Sequence, residues 1–474
     1  MTRWSRLVPV LAIVMLVLAA CGPSGESQSA AASEPDGSQP AGSEPAASGS
    51  GGEGTGGMNA SGELFAYGFG YETGDIIAKT RVDVFNEQYP DVDITFSESG
   101  FEDQGFLTAL ASGDAPDVVN LPRNKIGTYI ARGVLQPLTD CMDQAGLDPN
   151  VFYEGARNQV TVDGEMYALP EFYNTRVWII NNAAFEDAGL DPESVDWSDW
   201  DSIAQANEAL VKNDGGLTRI GIDPKLPEFL SMWVRALGGQ VISDDGMESL
   251  LDTPEVAQAV EFGKSLIEAN GGINEFTDFR NTWDFFGANN QVAADQIGAW
   301  PMEQWYLNVL AENSPDAEIT VKPFVDQEGN TTTLQDGNSW AITADTDNPD
   351  AACAFITTMV AKDTWVAAAQ ARADQREADG LPNTGVYTAN SEADDVIFND
   401  IVDLSDYPSL QEAVQVVLEG QDTAFGFPPS PAGAEFQQAL TDAVNRVLSG
   451  EADVQQALSD ADAEAQDAID AAAR

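Results

Sequence analysis

A break in composition at Gly62 sets the strongest limit on what this chain can fold into. From Gly22 to Gly62 it is Gly, Ser, Ala, Pro and Glu with almost no large apolar side chain. Such a segment cannot bury enough surface to offset its ordering entropy and is expected to form a flexible stalk. Beyond it, about 410 residues carry aromatics and regular apolar periodicity, more than one hydrophobic core ordinarily holds. Two lobes are therefore expected.

Ahead of the stalk stand Arg3 and Arg6, an apolar run from Leu7 to Ala20, and Leu18-Ala19-Ala20-Cys21. A basic start, a short apolar run and small closing residues predict a secretory signal peptide over 1–20; an uncleaved anchor would need a longer run. Leu-Ala-Ala-Cys resembles the bacterial lipobox, which implies acylation of Cys21 and attachment to the outer face of the cytoplasmic membrane. The 21–62 segment then acts as a tether, and no second apolar run approaches the length of a span.

The chain has 78 Asp plus Glu against 21 Lys plus Arg, a formal net charge of −57, and no histidine. A field of that sign repels phosphate backbones and excludes nucleic acid as a partner. The excess fits a salty medium, where screening weakens self-repulsion. Lack of histidine removes Ser-His-Asp and Cys-His catalysis and HExxH zinc sites; what enzymatic scope remains is paired carboxylates or less common chemistries. No Gly-rich phosphate loop and no Asp-x-Asp-x-Asp-Gly calcium loop is present, so no cofactor or metal is implied. With Cys21 assigned to the lipobox, Cys141 and Cys353 remain as a candidate disulfide, the alternative being two buried thiols.

Strands and helices alternate along the chain. Leu64–Tyr67, Val92–Phe96 and Asp117–Val119 read as strands; Ile77, Val84 and Phe85 share a helical face, and Phe106–Ser112 and Gly127–Arg132 read as further helices. Helix starts are signalled at Ser198 with Asp201, at Thr253-Pro254-Glu255 and at Asn348-Pro349-Asp350. Strand, helix and strand within about 35 residues make a βαβ unit, so a mixed α/β fold is predicted.

Several of these segments resemble one family, the extracellular solute-binding proteins of ABC importers, sugar-type family 1. The stretch Leu107-Thr108-Ala109-Leu110-Ala111-Ser112-Gly113-Asp114-Ala115-Pro116-Asp117-Val118-Val119 is similar to its signature. So are Asp163-Gly164-Glu165-Met166-Tyr167-Ala168-Leu169-Pro170, Gly298-Ala299-Trp300-Pro301 and Gly337-Asn338-Ser339-Trp340-Ala341-Ile342. The resemblance runs from Glu63 to Arg474. It implies a two-lobed, periplasmic-binding-protein-like α/β fold of type II, with crossover strands forming a hinge beside a ligand cleft. Lobe 1 would comprise 63–171 and 337–385, and lobe 2 would comprise 172–336 and 386–474. It further implies a monomeric, non-enzymatic receptor that closes on a carbohydrate and delivers it to a permease energised by a separate ATPase. A surface glycoside hydrolase or lyase, or a receptor for a non-sugar solute, are the alternatives.

A sugar site needs aromatic faces beside planar polar groups. On the family pattern Trp300 is the first candidate stacking platform. Tyr173, Asn174 and Arg176 follow the first crossover, and Gly337 and Asn338 occupy the second. Tyr71 and Glu72 lie in the loop after the first strand, and Arg123 and Asn124 in the equivalent loop after the third. Trp233 and Asp284 complete the set; Trp305, Tyr306 and Trp340 read as packing.

Overall fold

A computed structural model describes residues 58–474. The signal peptide, Cys21 and nearly all of the tether lie outside the described residues. Among the described residues no helix is long and apolar enough to cross a membrane.

Two five-stranded sheets organise the chain. In the first, Gly62–Gly68 pairs in parallel with Val92–Gly100 and Val118–Pro122, and Asn338–Ile342 runs antiparallel between Val118–Pro122 and Ala168–Pro170. In the second, Arg176–Asn181 lies antiparallel between Ile319–Pro323 and Ile297–Glu303. The latter pairs in parallel with Leu217–Ile222, which carries Lys212–Asn213 at its edge. All six residues of Arg176–Asn181 are buried, as in a strand covered on both faces.

The chain passes from the first sheet to the second between Pro170 and Arg176 and returns between Pro323 and Asn338. It leaves again after the helix Lys362–Asp379, which packs on the first-lobe helix Ile76–Gln88. Each sheet has its own core. One gathers Leu64, Val118, Phe106, Trp340 and Phe355; the other gathers Trp178, Trp200, Trp233, Trp300 and the apolar faces of the helices Pro408–Gln421, Gly433–Leu448 and Val454–Ala472.

Local chemistry explains the boundaries. Asp75 caps Ile76–Gln88 through the N–H groups of Ile77 and Ala78. Thr253 and Asn348 occupy the N-cap positions expected of them, each followed by proline in the first turn. At the helix Trp200–Leu210 the cap is Asp199 rather than Ser198, because its carboxylate accepts the Asp201 N–H at 2.9 Å while the Ser198 hydroxyl turns back to Asp196. On Ile76–Gln88 the buried face is Ile77, Ala78, Arg81, Val82 and Phe85, with Val84 to one side. Cys141, on Thr139–Ala145, and Cys353, on Pro349–Val360, form a disulfide with Cα atoms 5.6 Å apart inside the first lobe.

Candidate functional site

The passages between the sheets frame a cleft of about 290 Å³ lined by Pro122, Asn124, Phe172, Asn174, Asp336, Gly337 and Asn338. Gly337 is there because the chain folds on itself: its φ is 146°, and a Cβ would overlap the Phe172 carbonyl oxygen and the Arg123 guanidinium. Asn174 and Asp336 exchange backbone hydrogen bonds of 2.9 and 3.0 Å, tying the two crossings together.

Behind this wall lies a buried polar network. Arg123, 1% exposed, donates to Gln159 Oε1 at 2.8 Å, to Gln335 Oε1 at 2.7 Å, and to the carbonyls of Asn338 and Phe172. Burial holds its pKa down to about 10, partly countered by Asp336. Arg81 donates to Glu171 at 2.6 Å, Glu171 accepts from Asn120 at 2.5 Å, and Asn120 accepts from the cleft residue Asn338 at 2.8 Å. Arg176 holds Asp336 at 2.5 Å and Glu303 at 3.3 Å. Burial alone would lower its pKa, but Asp336 and Glu303 together outweigh burial and raise it.

The structure brings Asn124, Asn174, Gly337 and Asn338 together in the cleft wall and assigns other candidates elsewhere. Arg123, Tyr173 and Arg176, expected to face ligand, are buried supports of the crossings. The Tyr173 ring stacks on Tyr153 at 4.6 Å and its hydroxyl donates to the Gln421 carbonyl. Trp233 is fully buried among Trp178, Trp200, Phe262 and Phe324, its indole N–H donating to the Pro224 carbonyl at 2.9 Å. Trp300 is also fully buried, packed edge-on against Trp283 and Tyr306, with the Lys225 ammonium 5.7 Å from its ring centre. These two corrections share a cause: both rings point into the second-lobe core.

Tyr71 packs on Phe96 at 4.7 Å, and Glu72 is exposed and accepts the Asp75 N–H through its carbonyl, so neither lines the cleft. Asp284 is exposed in the turn leading to Gly287. Trp340 is packing, against Phe69 and Phe355, each at 5.0 Å. Sequence reasoning missed Phe172 and Asp336 in the wall, and Gln159 and Gln335 behind it. For Asp336 the signal was available, since it directly precedes Gly337.

The second lobe also reaches over the first. Arg132 pairs with Glu435 at 2.7 Å, the Ala434 N–H donates to the Thr128 hydroxyl, and Gly127 packs so tightly on Pro429 and Ser430 that a Cβ would collide with them.

Two α/β lobes joined by crossing strands around a polar cleft define a two-lobed ligand-binding protein. The chain belongs to the bacterial extracellular solute-binding protein family, which it matches over residues 71–373. It is 26% identical over 308 residues to the arabinooligosaccharide-binding protein of Halalkalibacterium halodurans, a match covering 62% of this chain and 66% of that one, just under two thirds of the relative's length. Among solved structures, CpMnBP1 with mannotriose bound superposes with a TM-score of 0.69 at 22% identity, covering 85% of this chain and 99% of that one. An ABC substrate-binding protein of Listeria monocytogenes in complex with cycloalternan gives 0.69 at 20% identity, with 86% and 99% covered. At these identities the structural likeness is one of fold.

Proposed function

We propose that this chain is the substrate-binding subunit of an ABC importer. Anchored by lipid on Cys21 at the outer face of the cytoplasmic membrane, it captures a mono- or oligosaccharide between its lobes as a monomer and hands it to a permease whose ATPase is a separate chain. Residues 63–171 with 337–385 would move as one body and 172–336 with 386–474 as the other, turning about the crossings.

The observation that carries this reading is the cleft wall. Asn124, Asn174, Asn338 and Asp336 bring amide and carboxylate side chains to a cleft that Phe172 also lines, while Arg123 and Arg176, beside the cleft residues, are bonded into the protein. That pattern suits a neutral polyol better than an anion. The ligands named for that relative and for the two solved structures described above are sugars, which supports the same class.

The test is a thermal-shift screen in high salt against sugars, polyols and amino acids, followed by chromatography of any hit. A ligand at about a hundred times its Kd should stabilise by about 2.7 kcal/mol. A sugar recovered intact supports the receptor; a cleaved sugar replaces it with the hydrolase or lyase, and a shift by a non-sugar alone overturns the carbohydrate class.

A further inference from the structure

Glu171 directly follows the strand Ala168–Pro170, where the chain first leaves the first sheet. It is 1% exposed and is not among the residues that line the cleft. Its backbone is fixed from two sides: its N–H donates to the Asn338 carbonyl at 3.0 Å, and its carbonyl accepts from Ala389 at 2.8 Å. Its carboxylate is fixed as well. Oε1 takes the Arg81 guanidinium at 2.6 Å, and Oε2 takes Asn120 Nδ2 at 2.5 Å. Arg81 can only donate. It is pinned by two bonds to the Met359 carbonyl, at 3.1 and 2.9 Å, and by the Trp365 ring 3.9 Å from its guanidinium carbon.

A side-chain amide has a donor end and an acceptor end, so fixing one end fixes the other. Paired with Arg81, the Glu171 carboxylate is acceptor-only. It therefore draws the Asn120 Nδ2, which leaves the Asn120 Oδ1 for Asn338, and Asn338 Nδ2 donates to that oxygen at 2.8 Å. The Asn338 amide is oriented in turn. Its nitrogen is engaged with buried Asn120, and among the described residues no donor bonds its Oδ1. The Asn338 main-chain carbonyl already accepts from Arg123 and from Glu171. Oδ1 is thus the acceptor that Asn338 brings to the cleft.

Resting on the carbohydrate reading above, we propose that Glu171 is a positioning residue that acts through Asn120 to set the Asn338 amide with its oxygen toward the cleft, so that this part of the wall selects a solute hydroxyl that donates. Asp336, held by Arg176, stands in the same wall as a second acceptor. A solute that offers only acceptors here, such as an ether or a phosphodiester, finds no proton on these two side chains.

The relay predicts an inversion. In Glu171→Gln, Arg81 keeps Oε1, so the new amide nitrogen faces Asn120, which must turn over to accept from it. Asn120 then donates to Asn338, whose Nδ2 is driven to the cleft. Adding Asn120→Asp places an acceptor-only side chain between the new glutamine and Asn338, which restores the original direction at the same net charge. The test uses the full-length chain in detergent, isotopically labelled at asparagine nitrogen, with NMR reading hydrogen exchange of the Asn338 side-chain amide, identified by its loss in Asn338→Ala. Wild-type Asn338 should exchange about tenfold more slowly than the exposed Asn289, the equivalent of one hydrogen bond. Glu171→Gln should remove that protection and the double variant should return it. Wild-type exchange as fast as that of Asn289, or protection unchanged in Glu171→Gln, overturns the relay. Calorimetric titration of the same proteins with mannotriose and arabinotriose reads the consequence: Kd should rise about tenfold in Glu171→Gln and recover in the double variant. A Kd unchanged in Glu171→Gln, or still raised in the double variant, overturns the positioning role while leaving the receptor standing. If the wild type binds neither sugar, the carbohydrate reading and the hydroxyl selectivity fall together, and the exchange data still decide the orientation of the amide.

Discussion

Replacing Asp394 by Asn should abolish a pH dependence of stability that the wild type shows between pH 5 and 8. Asp394 is 3% exposed, where the chain leaves the first lobe for the last time. Its carboxylate accepts from the Thr388 N–H at 2.9 Å, the Thr388 hydroxyl at 2.8 Å, the Tyr153 hydroxyl at 3.2 Å and Gln421 Nε2 at 3.4 Å. Burial is the larger influence and pushes its pKa up to about 7 against those donors. In the unfolded chain it titrates near pH 3.9. Because the folded state holds the proton more tightly, the stabilisation is fully present below about pH 4 and is lost as pH rises through about 7. Linkage between those two values gives a loss of roughly 2–3 kcal/mol from pH 5 to pH 8. The chain contains no histidine, so none obscures that window. The assay is urea unfolding followed by tryptophan fluorescence at unit steps of pH. The wild-type midpoint should fall from pH 5 to pH 8, and Asp394→Asn should be nearly flat and at least as stable at pH 8. A flat wild-type profile would refute the reasoning, since it would mean that the four donors keep the carboxylate ionised despite its burial.

Three further perturbations probe the supports of the cleft. Arg81 and Glu171 are each 1% exposed in side chain, so Arg81→Met, which strands a buried carboxylate, should cost about 3–5 kcal/mol; adding Glu171→Gln should recover much of it in the same unfolding assay. Gly337→Ala should lower stability by about 2–4 kcal/mol and weaken ligand binding, read by denaturation and titration, because the φ of 146° and the contact with Phe172 both exclude a side chain. Removing the disulfide with Cys141→Ser and Cys353→Ser should lower stability by about 2–5 kcal/mol, since the bridge closes a separation of 212 residues. Ligand affinity should hardly change, because both cysteines lie within one lobe.

The fold was more legible than the site, and the difference has a physical basis. Helix starts such as Thr253-Pro254 and Asn348-Pro349 are local chemistry, and apolar alternation such as Val92–Phe96 is a local period, so both survive translation from sequence to structure. Side-chain direction is not local. Trp300 lies in the middle of a second-lobe strand, and nothing in Gly298-Ala299-Trp300-Pro301 reveals that Ile297–Glu303 is covered on both faces. Arg123 follows a strand as a ligand-binding cation would. What makes it a strut is a pair of glutamines, Gln159 and Gln335, brought to it from 36 and 212 residues away. The aromatic cluster from Trp283 to Phe286 was visible as composition. Only the turn at Gly287 separates the ring that faces water from those that face the core.

The distribution of the few cations connects composition to recognition. Arg81, Arg123, Arg176 and Arg219 keep 2% or less of their surface exposed, and each is bound to acids, amides or carbonyls of the protein. With a net charge of −57, withdrawing these arginines inside leaves the outer surface more acidic still. A solute approaching the crossings therefore meets a wall of asparagines and Asp336 in a negative field. Under that field an anion must overcome repulsion that a polyol does not experience, and hydroxyls can donate to the acids that repel the anion. Arg123 and Arg176 thus keep their charge bonded into the crossings and deny it to a solute, as the proposed reading of a neutral, hydroxyl-rich ligand requires.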